Sequence, residues 1–197
     1  MIYNLSNKIV EQLEKRGLLA VDDKEVIAYG LFSFIFNVYC FLLCLTFGVA
    51  LEIPAEALVF FVSFLFLKRY AGGFHAQKEW QCLIITSGSI TLSILLIFFG
   101  LLFPMVFNIC IFFSALLSVF IIRIAPLEAE NKPLDDIIIK KYKKYSLIRT
   151  AIVCVILILL LCFDVKKVAD PLMVAIILEG VFIVLGDVQK KLRVVDR

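Results

Sequence analysis

The chain has 197 residues, of which 62% are hydrophobic and 19% charged, with 19 phenylalanines and a formal net charge of +3. This is one domain's worth of length, and so apolar a composition excludes a disordered chain, a secreted disulfide scaffold and an ordinary soluble globule, which could not hide that much apolar surface. The class that remains is an all-α polytopic membrane protein, read as a single domain over residues 1–197.

Residues 1–24 are too charged to cross a bilayer. Ile2, Leu5, Ile9 and Leu13 recur at helical spacing with Lys8, Glu11, Gln12 and Glu14 elsewhere on the wheel, which predicts an amphipathic helix lying in the interface. Gly17 is positioned to end it, and Asp22 with Glu25 has the form of a capping box that starts the next helix. The first apolar run starts too late for a cleavable signal peptide and has no small-residue cleavage site.

The membrane core is expected over 25–187. Val26–Leu51 is a 26-residue run without charge, and Leu83–Ile122 is a 40-residue run broken at Gly100 and Pro104. Each span needs about 20 residues, so the second run reads as two helices. Together with three less clean segments, the pattern predicts six spans near 29–51, 54–67, 82–102, 105–122, 148–163 and 171–187. Residues 188–197 are read as a tail.

Charge tests this division. With both termini in the cytoplasm, eighteen of the twenty Lys and Arg fall inside, and only Lys166 and Lys167 fall outside. An odd number of spans would destroy that positive-inside bias. The loops 68–82 and 123–149 are therefore expected on the cytoplasmic side of the cell membrane. The net charge is a membrane-surface pattern near anionic lipid and points to no nucleic acid.

Few residues can do chemistry. Cys40, Cys44, Cys110, Cys154 and Cys162 fall inside apolar spans, where free cysteine is a small packing residue. One histidine and no paired cysteines leave too few ligands for a metal, and nothing points to a cofactor. Cys82 differs. It lies at the polar edge of a span, seven residues after His75, the sole histidine. A cysteine and an imidazole are the minimum for a cysteine hydrolase, because the base takes the thiol proton and the thiolate attacks a carbonyl. On one straight helix the two would stand about 10.5 Å apart along the axis, too far for a hydrogen bond. His75 must then lie on a turn folded back toward Cys82, and Gly72-Gly73 supplies the backbone freedom. Cys82 would occupy the first turn of the next helix, whose N-terminal dipole favours an anion. By spacing alone, an interfacial histidine and an edge cysteine with no joint role is the favoured reading.

The segment Lys68-Arg69-Tyr70-Ala71-Gly72-Gly73-Phe74-His75-Ala76, followed by Cys82, resembles the signature of the accessory gene regulator protein B (AgrB) family. Ala125-Pro126, Asn131-Lys132-Pro133-Leu134 and the lysine-rich Lys140-Lys141-Tyr142-Lys143-Lys144 also fit. The resemblance runs over nearly the whole chain. It implies a membrane-embedded cysteine endopeptidase of peptide quorum sensing that removes the C-terminal part of an AgrD-like precursor and promotes closure of a thiolactone or lactone ring. It implies Cys82 as nucleophile and His75 as base. Lys68, Arg69, Gly72 and Gly73 match accessory positions, although many members carry arginine where this chain has Lys68, and lysine lacks the guanidinium's fork. The family points to a homodimer. Lys140, Lys141, Lys143 and Lys144 either anchor the loop at anionic lipid or meet an acidic precursor tail.

Two carboxylates fall inside spans. Glu56 is expected to be exposed near the outer surface, and Glu179 to make a buried structural hydrogen bond or a subunit contact. Two other functions compete. A peptide exporter is compatible with six spans and an intramembrane acid, but no inverted repeat is visible. In a non-enzymatic scaffold, the histidine and cysteine would be incidental.

Overall fold

The computed structural model describes residues 2–16, 24–74, 79–127 and 136–195. Among these residues there are seven helices and no strand: α1 (Ile2–Lys15), α2 (Lys24–Ala50), α3 (Pro54–Ala71), α4 (Glu79–Leu102), α5 (Pro104–Ile124), α6 (Asp136–Cys162) and α7 (Lys166–Val195). Helices α2, α4, α5, α6 and α7 are long and apolar enough to cross a membrane. Helix α3 has 18 residues, about 27 Å of rise, and carries Glu56, Lys68 and Arg69 at its ends. Six helices thus lie along the six expected segments in order, and five of them, all but α3, are long and apolar enough to cross a membrane.

The amphipathic reading of the N-terminal segment is met by α1, in which Ser6 and Val10 are buried while Lys8, Glu11 and Gln12 face outward. It packs on α2. Glu14 Oε2 accepts a 2.6 Å hydrogen bond from Lys24 Nζ, and this carboxylate holds the Lys24 ammonium above its ordinary pKa. Gly17 and Asp22 lie outside the described residues.

The connections between helices separate into two poles. At one pole they are tight. Helices α2 and α6 end in the same wrap, with Ile53 N donating to Gly48 O at 2.8 Å and Val165 N to Leu160 O at 2.9 Å. The residue before each donor, Glu52 (φ 61°) and Asp164 (φ 53°), takes the left-handed conformation that such a helix stop requires. Pro54 and Pro104 open α3 and α5 in the first turn, where a missing N–H costs nothing. The other pole gathers α1, the α3–α4 connection, the start of α6 and the end of α7. Among the described residues the basic ones gather at this pole, and Lys166 and Lys167 stand at the tight pole.

Helix α7 is the axis of the bundle. It packs against α3, α4, α5 and α6, and Ala169, Met173, Ala175, Ile176 and Ile183 are fully buried along it. The outward faces of α2, α4, α5 and α6 expose large apolar side chains such as Phe34, Leu92, Phe112 and Ile158, as a lipid solvent requires. Small residues let the backbones close up, as they do where lipid rather than water surrounds a bundle. A Cβ on Gly48 would stand 2.5 Å from Ala57 Cβ, and one on Gly180 2.6 Å from Leu117 Cβ.

Several boundaries differ from the sequence reading. Helix α6 starts at Asp136 rather than near 148, so the lysines expected in a loop lie on its first turns. Helix α7 starts at Lys166 rather than 171 and continues to Val195 through most of the expected tail. Pro171 sits inside it, where it removes one N–H from the ladder. In both cases charged residues extend a helix beyond its apolar part, which a search for charge-free runs truncates. Cys40, Cys44 and Cys110 are buried as expected of packing residues, but Cys154 is half-buried and Cys162 is exposed. Glu56 is half-buried in the first turn of α3, where its charge complements the helix dipole.

Asp170 was outside every expected span, yet it is 0% exposed on α7. It faces Gly100 on α4 so closely that a Cβ there would collide with both carboxylate oxygens. Gly100→Ala is therefore expected to destabilise the bundle by about 1–3 kcal/mol, as overpacking does. Thermal unfolding in detergent checks this. An unchanged midpoint would show that Asp170 moves aside freely.

Candidate functional site

The basic pole brings together the ends of three helices. Helix α3 ends at Ala71, and Gly72 N donates back to Lys68 O at 3.3 Å to close it. The chain then turns on two glycines with positive φ, Gly72 at 79° and Gly73 at 129°. A side chain is strained in both conformations. The glycines also allow close approach. A Cβ on Gly72 would run into the Leu127 carbonyl oxygen, and one on Gly73 would stand 3.3 Å from Phe182 Cβ.

Two backbone hydrogen bonds clamp this segment. Leu127 N donates to Ala71 O at 2.9 Å, and Phe74 N donates to Phe182 O at 2.9 Å. The first ties the exit of α3 to the segment after α5, and the second ties it to α7. Gly186, one turn beyond Phe182, leaves room for the crossing. A Cβ there would stand 3.1 Å from Gly73 C and Phe74 N. The chain is thus held on α7 up to Phe74, the residue directly before His75. His75 itself lies outside the described residues.

Cys82 is the fourth residue of α4, in its first turn, as the sequence reading expects. Its thiol is free and half-buried. Trp80, just before it, is 57% exposed. The start of α4 is braced on α2 by a 2.9 Å hydrogen bond between Tyr39 Oη and Ser87 Oγ, and Ser87 also donates to Leu83 O at 2.6 Å. Helix α2, with Cys40 buried on it, packs on both α3 and α4.

The basic pair of the motif is split. Successive helical residues point about 100° apart. Arg69 is exposed, with its guanidinium carbon 5.8 Å from the Tyr70 ring. Lys68 turns inward, and its ammonium lies 5.0 Å from the Phe64 ring centroid and 4.7 Å from that of Phe182. Glu179, one turn before Phe182 on α7, is 0% exposed. The hydrogen bond expected for it is not made among the described residues.

Lys140, Lys141, Lys143 and Lys144 are exposed on α6. Between them, Tyr142 and Tyr145 turn to α3 and meet the Tyr70 ring at 5.2 and 5.1 Å. The lysine face is thereby fixed beside the exit of α3. Sequence reasoning missed Arg149 as an organiser. It donates to Phe66 O at 2.8 Å and stacks on Phe66 and Tyr70 at 4.4 and 4.3 Å. A lone arginine at the edge of an apolar run, one helical turn from a tyrosine, is the signal that could have found it.

The family described as Accessory gene regulator B matches residues 6–184. A putative AgrB-like protein 2 of Clostridium perfringens (strain 13 / Type A) is 30% identical over 68% of this chain and 64% of its own length. A putative AgrB-like protein of Clostridium perfringens (strain SM101 / Type A) is 28% identical over the same shares. Protein FsrB of Enterococcus faecalis (strain ATCC 47077 / OG1RF) is 30% identical over 77% of this chain and 60% of its own. The chain therefore spans somewhat less than two thirds of the length of these relatives. No solved structure matches. An apolar helical bundle with the Gly-Gly clamp ahead of Cys82, matched by the family over nearly its whole length, belongs to the Accessory gene regulator B family.

Proposed function

We propose that this protein is a membrane-embedded cysteine endopeptidase of peptide quorum sensing that cuts an AgrD-like precursor on the C-terminal side of its signal sequence. The observation that carries the reading is the Gly72-Gly73-Phe74 clamp, which leads directly into His75 at the same pole as the first-turn thiol of Cys82. Family membership supports it. His75 takes the Cys82 proton, and the thiolate attacks the scissile carbonyl. The oxyanion collapses to a thioester as the C–N bond breaks and the imidazolium protonates the leaving amine. A thiol or hydroxyl within the bound peptide then displaces Cys82 and closes a thiolactone or lactone ring. Low water access at the lipid boundary favours this transfer over hydrolysis. The eighteen-to-two basic asymmetry of the sequence supports a reading with both termini and the catalytic pole on the cytoplasmic face of the cell membrane, against anionic lipid. A homodimer completes the reading.

The test is co-expression with a candidate precursor peptide and mass spectrometry of cells and medium. Tail cleavage, with a hydroxylamine-sensitive acyl adduct on Cys82, supports the proposal. An intact precursor in the medium would favour an exporter, and cleavage unaffected by Cys82→Ala would remove the nucleophile assignment.

The lysine face of α6 is suited to an acidic precursor tail. Exposed charge pairs contribute about 0.2–1 kcal/mol each. Replacing Lys140, Lys141, Lys143 and Lys144 by glutamine is therefore expected to raise KM roughly 4- to 900-fold with little change in kcat. Salt should act the same way on the wild type, because the screening length falls from about 8 Å at physiological ionic strength to about 3 Å at 1 M. A KM indifferent to both would leave these lysines as lipid anchors.

A further inference from the structure

Glu179 is the least easily explained polar group at the basic pole. It is 0% exposed in the middle of α7 and neither carboxylate oxygen has a hydrogen-bond partner among the described residues. A carboxylate inside a bundle without hydrogen bonds is costly and persists where another charge or a function requires it. Lys68 is half-buried and forms no ion pair within 4.0 Å among the described residues. Its ammonium instead sits between Phe64 of its own helix and Phe182 of α7. Glu179 and Phe182 are three residues apart and therefore share a face of α7. Phe182 also provides the carbonyl that accepts the Phe74 N–H, and its Cβ is the atom a side chain on Gly73 would meet.

We propose that Glu179 and Lys68 act together as positioning residues, setting the seat on Phe182 that holds the chain leading into His75. The buried Glu179 carboxyl, three residues from Phe182 on the same face of α7, gives the Lys68 ammonium a polar neighbour inside the bundle. There it lies over the Phe182 ring, an arrangement favourable to a cation. Lys68 is also the third residue before Ala71, so the same side chain ties the last turn of α3 to the floor on which Gly72, Gly73 and Phe74 rest. The pair touches no reacting atom, and its effect passes through the backbone at Phe182. This inference rests on the peptidase reading for its consequence in catalysis.

The test is a double-mutant cycle with Lys68→Met and Glu179→Gln in membranes containing the full chain. Each single substitution is expected to lower kcat about 10- to 100-fold, the effect of a small misplacement of a catalytic group, with KM within about threefold. Because the two residues act through one seat, the double variant should lose no more than the worse single. Losses that multiply would overturn the proposal, as would a loss confined to KM. Should Lys68→Met fail to accumulate, Lys68→Arg replaces it. That variant keeps the charge and is expected to retain activity only while Glu179 is present; retention with Glu179→Gln would overturn the pairing. The rate of Cys82 alkylation, followed by peptide mapping in the same membranes, reads the link without any cleavage. Slowing in both single variants supports it, and unchanged rates overturn it. If wild-type cleavage survives Cys82→Ala, the peptidase reading fails, and the alkylation data still decide the Lys68–Glu179 link.

Discussion

Cys82→Ala should abolish removal of the precursor tail, and His75→Ala should lower it about 10²- to 10⁴-fold, the range that positioned general bases supply. The two differ because the sulfur is the atom that bonds to the acyl group, whereas another base or water can accept a proton slowly. Cys82→Ser is expected to be nearly as inactive as alanine. An unactivated hydroxyl is almost wholly protonated at neutral pH and is a weaker nucleophile than a thiol. Product quantification by mass spectrometry, with precursor accumulation as the counterpart, measures all three. Equal activity of wild type and Cys82→Ala would sink the covalent mechanism. The other five cysteines lie along the apolar helices and serve as internal controls. Cys40→Ala and Cys110→Ala should preserve cleavage at any level at which the protein still accumulates.

Gly72→Ala should be almost as damaging. At φ 79° a Cβ costs about 1–2 kcal/mol by conformation alone. The larger effect is spatial, because the added atom would enter the Leu127 carbonyl oxygen, which belongs to backbone and cannot rotate away. Either the exit of α3 or the segment after α5 must shift. The Leu127 N to Ala71 O hydrogen bond sits at that point, and Phe74 N to Phe182 O lies three residues beyond Ala71. A shift of about 1 Å in a catalytic group costs about 10²-fold, so cleavage should fall by at least that factor while the protein still inserts. Gly88→Ala is the matched control. Gly88 lies within α4, an added Cβ there meets nothing within 4 Å, and alanine is the better helix former. Its activity should be unchanged. Equal effects of the two substitutions, in activity normalised to accumulated protein, would show that the Gly72 clamp has no special part.

The two glycines illustrate how the motif is to be understood. In sequence they suggest a flexible hinge that folds a histidine back toward a cysteine. In the structure they are points of close approach, pressed against Leu127 and Phe182, and the segment they begin is held by two backbone hydrogen bonds. The basic pair beside them changes meaning in the same way. Lys68 and Arg69 read as one positive patch, but the helix sends the first into the bundle and leaves the second outside. Cys82 in a first helical turn was legible, because Gly-Gly followed by a polar stretch and a long apolar run marks a helix start.

The sequence by itself determined the all-helical membrane class, the number and order of the long helices, and the gathering of basic residues at one pole. These follow from the solvent. An apolar run without charge has to be helical in lipid, and charges collect where the run ends. Tertiary structure alone decided that α7 is the central helix, that Asp170 is buried on it, and that Arg149 locks α6 onto α3. Composition could not show this, because lipid-facing and protein-facing surfaces are equally apolar. Which helix is enclosed depends on where small residues allow close packing, and which charge is inside depends on the side of the helix that faces its neighbours.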